Sequence, residues 1–499
     1  AGHLEQDRRR RRRGHVTDRA APTDREPMTT RRPPAPRRIH GNRTLNLRSI
    51  RAIGYDMDYT LIHYRVEEWE RSAFEHTRTR LQGAGWPVEG IVFDPESVIR
   101  GLTIDLELGN LVKPTRFGYV IRASHGTGFL EFDRLRSEYE GVTVDLAEDR
   151  WVFLNTLFSL SEASLYSQLV DRYDAGVLPK INGYADLYKR IRSALDAAHM
   201  EGQLKEEILA DPDRFVVTDP DVVLTLLDQK HAGKRLLLIT NSDWNYTRRI
   251  MNYAFDPHLP KGSTWRELFD AVVVSAEKPY YFMGRRPMYR VVDEERGLLE
   301  PHRGTVEPGT VLVGGDALQM ETHLGLHGAE ILYVGDHLYA DVSVTKATLR
   351  WRTALILREL ESEIEAAQAF RAREARLQAL MGTKGRLERE LAHARLDLLR
   401  ARVGHATPDG DADTADARAE EIRGRLSALD DEIAPLAISA GELRNPAWGP
   451  LMRSGNDKSL FARQVERYAD VYTSRVSNFL RATPYGFLRA ARVNLPHDG

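Results

Sequence analysis

The sequence predicts an α/β fold: a doubly wound, Rossmann-like parallel-sheet core, a large inserted α+β domain and a C-terminal helical hairpin. Three observations predict it. Six short apolar runs, "IRAIGYD", "RLLLITNS", "FDAVVVSAEK", "GTVLVGGD", "AEILYVGD" and "RTALIL", recur along the chain, most ending on polar residues. Runs this long and this rich in branched residues suit strands buried on both faces of a parallel sheet, with amphipathic helices outside. The first and second runs lie much farther apart than one crossover needs, so a domain is inserted between them. Late in the chain, Leu and Ile recur at spacings of three, four and seven.

In chain order, residues 1–42 are a different material. Arg8 to Arg13 is an unbroken arginine run, and Pro33, Pro34 and Pro36 follow among further basic residues. Such a segment cannot bury a core and is expected to be a disordered tail. It reads as a solvated arm, as sequence upstream of a start at Met28, or as an arm for acidic surfaces. The catalytic core is expected over 43–66 and 225–357. The insert, 67–224, begins strand-rich in "GNLVKPTRFGYVIRASHGTG" and turns helical by "SALDAAHMEGQLKEEILA". Over 358–440, Leu377, Leu380, Leu387, Leu391, Ala394 and Leu398 form one apolar seam. Ile422, Leu426, Leu429, Ile433 and Leu436 form another beyond the turn "GHATPDGDADTADA". That pattern predicts an antiparallel, coiled-coil-like hairpin used for packing or oligomerisation. Residues 441–499, aromatic and basic, are expected to return to the core as helices.

Bulk composition narrows the function classes. The 499 residues, 42% hydrophobic and 29% charged, exceed what one simple domain needs. A formal net charge of -2 gives no global field toward nucleic acid or membrane. The absence of cysteine excludes disulfides, thiol nucleophiles, zinc ribbons and iron–sulfur clusters. With no apolar run of transmembrane length and no secretory h-region, a soluble cytoplasmic protein is expected.

The chemistry sits at the ends of the runs. In open α/β sheets ligands bind outside the carboxyl ends of the strands. Here those ends carry Asp56 and Asp58, then Thr240, Asn241 and Ser242, then Glu277 and Lys278, then Asp336 with Asp341 five residues on. Asp56 and Asp336 are hard oxygen ligands suited to Mg²⁺. Lys278 adds a compact positive charge, and Thr240 and Asn241 add neutral donors. Together they suit an anionic phosphoryl group held for displacement. One carboxylate can act as nucleophile and the other as acid and base, which requires Asp56 ionised and Asp58 holding a proton until the leaving group departs.

The motifs "DMDYT", "ITNS", "EKP" and "GDHLYAD" resemble the four motifs of the haloacid dehalogenase-like hydrolases. More narrowly, the chain from about Asn46 to His497, including "RSGNDKSLFARQVERYADVY" and "NLPHD", is similar to the cytosolic purine 5′-nucleotidases of the IMP- and GMP-preferring type. The resemblance implies Asp56 as nucleophile and Asp58 as general acid/base. It implies Mg²⁺ held by Asp56, the main-chain carbonyl of Asp58 and Asp336, with Asp341 as support. Thr240, Asn241 and Lys278 would grip the phosphate. A purine site would come from Asn155, Phe158, Arg192, Asp196, His199 and Lys205, with Phe158 stacking on the base and Met200 standing where the family tends to have an aromatic residue. Arg192 and Asp196 are also an i, i+4 pair, which alone reads as a surface ion pair. Tyr339, Lys346 and Arg352 match positions of the family's effector site, and the family precedent is a homotetramer.

The expected activity is therefore Mg²⁺-dependent hydrolysis of purine nucleoside monophosphates, with phosphotransfer to a nucleoside as a corollary. Two alternatives remain: a phosphatase of another small ester such as a sugar phosphate, and a non-catalytic scaffold or nucleic-acid binder using the basic tail. No membrane partner is expected. His323 and His327 have metal-ligand spacing but no acidic third ligand, so a structural role is expected. Ser124 to Gly128, "SHGTG", lacks the Lys-Ser/Thr ending of a phosphate loop and reads as a hairpin turn.

Overall fold

A computed structural model describes residues 33–200, 202–405, 407–408 and 410–492. The arginine run, Met28 and the "NLPHD" motif lie outside the described residues. Each of the six apolar runs forms a strand: β1 (Ala52–Tyr55), β2 (Arg235–Ile239), β3 (Ala271–Val274), β4 (Thr310–Gly314), β5 (Ile331–Gly335) and β6 (Arg352–Ile356). A seventh, β7 (Val471–Thr473), joins them from near the end of the chain. Their order is β7-β6-β5-β1-β2-β3-β4, all neighbours parallel. β1, β3 and β5 are buried at every position, which is why their sequences are continuous rather than alternating. From β1 the chain winds to one side through β2, β3 and β4, then crosses to lay β5 and β6 on the other. β1 is therefore the switch point where such a sheet opens a crevice.

Four expectations need correction. Residues 34–42 are not tail: Ala35–Arg37 is a short helical turn, and His40–Gly41 pairs antiparallel with β7 at the sheet edge. The sheet is mixed, because the ribbon Met288–Asp293 and Leu298–Pro301 extends it antiparallel beyond β4. The C-terminal stretch is not only helical, since it supplies β7. The insert returns to the core before residue 225. Val216–Val217 already pairs with His63–Tyr64, the strand on which the chain leaves the core, and position 225 falls inside the helix Pro220–His231.

The insert holds a five-stranded antiparallel sheet ordered Gly128–Phe129, Val120–His125, Asn110–Pro114, Thr103–Asp105, Trp151–Phe153. Beside it lie helices α1 (Val66–Gly83), α2 (Leu160–Asp174) and α3 (Tyr184–Met200). α1 buries Trp69, Glu70, Ala73, Phe74, Thr77 and Leu81, a stripe at helical spacing. "SHGTG" is a hairpin turn, with His125 paired to Gly128 and Thr127 held by the Asp171 carboxylate. The C-terminal hairpin consists of α4 (Leu360–Arg402) and α5 (Ala412–Gly441). Leu387 and Ala394 bury against Ala419 and Ile422, flanked by Leu391, Leu426 and Leu429. Ion pairs Arg376–Glu432 (3.0 Å) and Lys384–Asp430 (2.5 Å) bridge the two helices on the exposed side of that seam.

Candidate active site

Strand ends β1, β2, β3 and β5 deliver their polar residues to the crevice beside β1. Lys278 Nζ lies 2.7 Å from Asp56 Oδ1 and 2.8 Å from Asp341 Oδ1, and it donates to the Tyr333 hydroxyl at 3.2 Å. One oxygen each from Asp56, Asp336 and Asp341 comes within 4.8 Å of the others. Asp341, expected as a support, is thus inside the acidic cluster. Two glycines permit these approaches. A Cβ at Gly54 would stand 2.8 Å from the Tyr333 ring, and one at Gly335 would meet Asp341 Oδ2 at 2.4 Å.

The electrostatics follow from burial. Asp56 is pushed well above the ordinary carboxylate range, by desolvation first; Lys278 opposes this, while Asp341 and Asp336 add to it. Burial and then the Asp341 charge raise Asp336 to about 7, against Arg100 and Lys278. For Lys278 burial acts downward, yet Asp341 and then Asp56 carry its net shift upward. Three buried carboxylates face one ammonium, so the cluster holds an excess of negative charge in a poorly solvating place. Its donors are all hard oxygens. That combination fits a divalent cation of the Mg²⁺ type.

Asp58 stands apart from this cluster. Its Oδ1 accepts from the Tyr64 hydroxyl at 2.6 Å, and its Oδ2 accepts from Ser242 Oγ at 2.7 Å.

The phosphate-gripping residues divide. Thr240 is fully buried, and its Oγ1 accepts from the Ser242 amide at 3.1 Å. The Asn241 side chain grips the main chain of Lys278: its Nδ2 donates to the Lys278 carbonyl (3.1 Å), and its Oδ1 accepts from the Lys278 amide (2.6 Å). Asn241 thus fixes the backbone that carries the lysine, and one Nδ2 hydrogen is left over. Glu277 turns outward to Arg286 at 2.5 Å.

The insert reaches the same crevice. Thr156 Oγ1 donates to Asp336 Oδ2 at 3.3 Å, and Arg100 donates to the Asp336 carbonyl while pairing with Glu359 at 2.6 Å. Phe158 packs edge-on to Tyr59, with ring centroids 4.8 Å apart, and to Trp69 at 5.4 Å. Asn155 Nδ2 donates to the Phe153 carbonyl, while its buried Oδ1 has no partner. Arg192 is not a simple surface pair with Asp196 (3.1 Å), for it also binds the buried carboxylate of Glu162 at 2.9 Å. Burial holds the His337 imidazole, next to Asp336, down at about 4; Asp341 opposes this, and Lys278, Arg100 and, least, Arg192 add to it. Lys205, expected among the base contacts, instead meets Ser242 Oγ (3.1 Å) and Asp243 (3.5 Å), on the Asp58 side. His199 and Met200 stand on α3, and their side chains lie outside the described part.

Sequence reasoning missed Ser242 as a contact of Asp58, and missed Tyr64, Tyr246, Thr156, Arg100 and Glu162. The position of Ser242 beside Thr240 and Asn241 was a signal. The others carry none, since nothing local distinguishes them from core polar residues.

The effector positions separate. Lys346 (2.7 Å) and Arg352 (3.0 Å) both close on the buried Asp470, which commits their charges to holding β7. Tyr339 lines a pocket of about 590 Å³ with Phe117, Phe153, Arg463 and Tyr468, and neither Lys346 nor Arg352 reaches it. His323 accepts from the Val306 amide and contacts Arg235, while His327 caps the turn Gly328–Glu330, both structural roles.

A family model described as the 5′ nucleotidase family matches residues 39–499. The human 5′-nucleotidase domain-containing protein 2 is 27% identical over 484 residues, spanning 93% of this chain and 85% of that protein. Among solved structures, a β-phosphoglucomutase from Pyrococcus sp. strain ST 04 overlaps 62% of this chain and 87% of its own, at 12% identity and a TM-score of 0.30. A haloacid dehalogenase-like hydrolase from Xanthomonas campestris overlaps 62% and 82%, at 14% identity and a TM-score of 0.23. Superpositions at those scores add nothing to the fold described above.

Proposed function

The chain belongs to the 5′ nucleotidase family and is a phosphomonoester hydrolase of nucleoside monophosphates; from that premise we propose that it takes 6-oxopurine nucleotides, IMP and GMP, with Mg²⁺ as cofactor and an aspartyl phosphate on Asp56. The observation that carries the chemistry is the convergence of Asp56, Asp336 and Asp341 within 4.8 Å beside Lys278.

Asp56 attacks phosphorus while the bond to the 5′-oxygen breaks, and Asp58 gives that oxygen its proton. A water then attacks the aspartyl phosphate, passing its proton to Asp58 and releasing phosphate and the Asp56 carboxylate. Lys278 holds Asp56 for attack and neutralises phosphoryl charge. Asp56 and Asp336, with Asp341 alongside, would hold Mg²⁺, which when bound supplies charge neutralisation for the phosphoryl oxygens. A nucleoside hydroxyl in place of water would give phosphotransfer.

The purine reading draws on Arg192, Asp196 and Phe158. A guanidinium can donate to O6, a carboxylate can accept from N1–H and the guanine amine, and a half-buried aromatic ring offers a stacking face. Phosphate release from IMP, GMP, AMP and glucose 6-phosphate, with and without Mg²⁺, tests the proposal. IMP and GMP should lead only with Mg²⁺, and Asp56→Asn should abolish release and phosphoenzyme together. A lead by glucose 6-phosphate would replace the nucleotide reading with a sugar phosphatase.

A further inference from the structure

We infer that Tyr64, backed by Tyr246, is a positioning residue that aims the Asp58 carboxyl at the leaving oxygen. The inference rests on the hydrolase reading above and adds to it a control point on the link between core and insert.

Tyr64 sits on the strand His63–Tyr64, by which the chain leaves the core, and it pairs with Val216 on the returning strand. It is 3% exposed, its ring tilted against Trp69 at 4.3 Å and edge-on to Tyr59 at 5.3 Å. Its hydroxyl lies 2.6 Å from Asp58 Oδ1 and 2.9 Å from the hydroxyl of Tyr246. Tyr246 is itself buried, on the core helix Trp244–Phe255. Nothing in the aromatic packing requires those hydroxyls, for a phenylalanine ring would pack alike.

Donor–acceptor logic fixes the direction of each bond. The Tyr64 hydrogen goes to Asp58, so Tyr246 must donate to Tyr64. On the other side the Lys205 ammonium has only donors, so Ser242 Oγ accepts from it (3.1 Å) and spends its own hydrogen on Asp58 Oδ2 (2.7 Å). Lys205 also lies over the Tyr246 ring, 4.9 Å from its centroid. Two chains of hydrogen bonds, one through the linking strand His63–Tyr64 and one through the insert's helix Gln203–Ala210, therefore converge on Asp58, one per oxygen. Each occupies one lone-pair direction. A proton carried by Asp58 is left the directions that face neither Tyr64 nor Ser242. Fixing both oxygens removes rotation of the carboxyl, and the orientation of an acid is a large part of its catalytic worth.

The step concerned is the first: the Asp58 proton moves to the bridging ester oxygen as the P–O bond to it breaks and the Asp56–phosphorus bond forms. An ester whose leaving group departs as a stable anion does not need that proton. Tyr64→Phe and Tyr246→Phe remove only hydroxyls and leave the rings. The readout is kcat/KM, which reports leaving-group expulsion, measured on the full chain with Mg²⁺. IMP and glycerol 2-phosphate serve as alkyl esters, and p-nitrophenyl phosphate as the aryl ester.

For Tyr64→Phe, the alkyl esters should lose about tenfold, part of the ~10²–10⁴ that general acid–base catalysis supplies. p-Nitrophenyl phosphate should keep most of its rate. Tyr246→Phe should show the same pattern, weaker, and it carries the test if melting shows that Tyr64→Phe does not fold. Equal loss on all three esters, no loss, or a gain on the alkyl esters overturns the inference while leaving the hydrolase reading standing. Wild-type protein that releases phosphate from none of the three would remove that reading instead.

Discussion

Single residues in this protein act through the company that burial gives them. His63 shows it apart from the chemistry. It is 2% exposed on the linking strand, with no partner for its buried Nε2. Burial first, then Arg358 and Arg37, hold its imidazole down at about 4, with Asp219 opposing. A histidine whose folded value lies below its unfolded one contributes stability that is present above about pH 6.5 and is lost as the pH falls through about 4. The urea midpoint of the wild type should therefore fall across that window. His63→Gln should recover up to about 3 kcal/mol of the acid-side loss, given 1.36 kcal/mol per pKa unit. An unchanged acid limb in the variant would reject the assignment. Glu70, raised to about 8 by burial, works in the opposite sense, losing stability as pH rises from about 4.5 to 8. Asp56, Asp58 and Lys278 were legible in the sequence as candidates because they end apolar runs. The Tyr64 hydroxyl on Asp58, and the Tyr246 hydroxyl behind it, were not, because both residues look like any buried aromatic.

At the scale of elements, the hairpin is the clearest case of pattern becoming structure. Its seam was readable from spacing alone, since α4 and α5 need only one narrow apolar stripe each. Leu387, Ala394, Ala419 and Ile422 form a small core separate from the main ones. Ile422→Ala should cost about 2–4 kcal/mol through the cavity it leaves. Faster hydrogen exchange should be confined to Leu360–Arg402 and Ala412–Gly441, with nucleotide turnover unchanged. Exchange rising equally through β1, β2 and β5 would show that the hairpin is not a separate cooperative unit. β7 went unread for the converse reason. Val471–Thr473 is three residues long, and its place in the sheet comes from pairing with β6 rather than from any run of its own.

On the scale of the whole molecule, the ends of the described chain are fastened to the core through one buried charge. Asp470, fully buried, accepts from Lys346, Arg352 and the Thr353 amide, while its carbonyl takes the Asn42 and Arg43 amides. Asp470→Asn leaves two cations without their partner, which should cost about 3 kcal/mol, a little under a fully buried pair because both cations are partly exposed. Chemical denaturation measures it, and a loss below about 1 kcal/mol would mean the pair is no more than a surface contact. Among the described residues no helix is long and apolar enough to cross a membrane.

The sequence by itself determined the six strands β1 to β6 of the core, the two-helix hairpin, and the acidic and basic residues that end those strands. Those signals are local, because apolar runs and periodicities are set by neighbours in the chain. Only the tertiary structure decided which groups touch: Asp341 inside the acidic cluster, Asn241 turned to Lys278, Glu162 beneath Arg192, Lys205 and Tyr64 drawn to opposite sides of Asp58. Those contacts join segments far apart in the chain, and they exist because burial leaves each polar group only the partners that packing brings within reach.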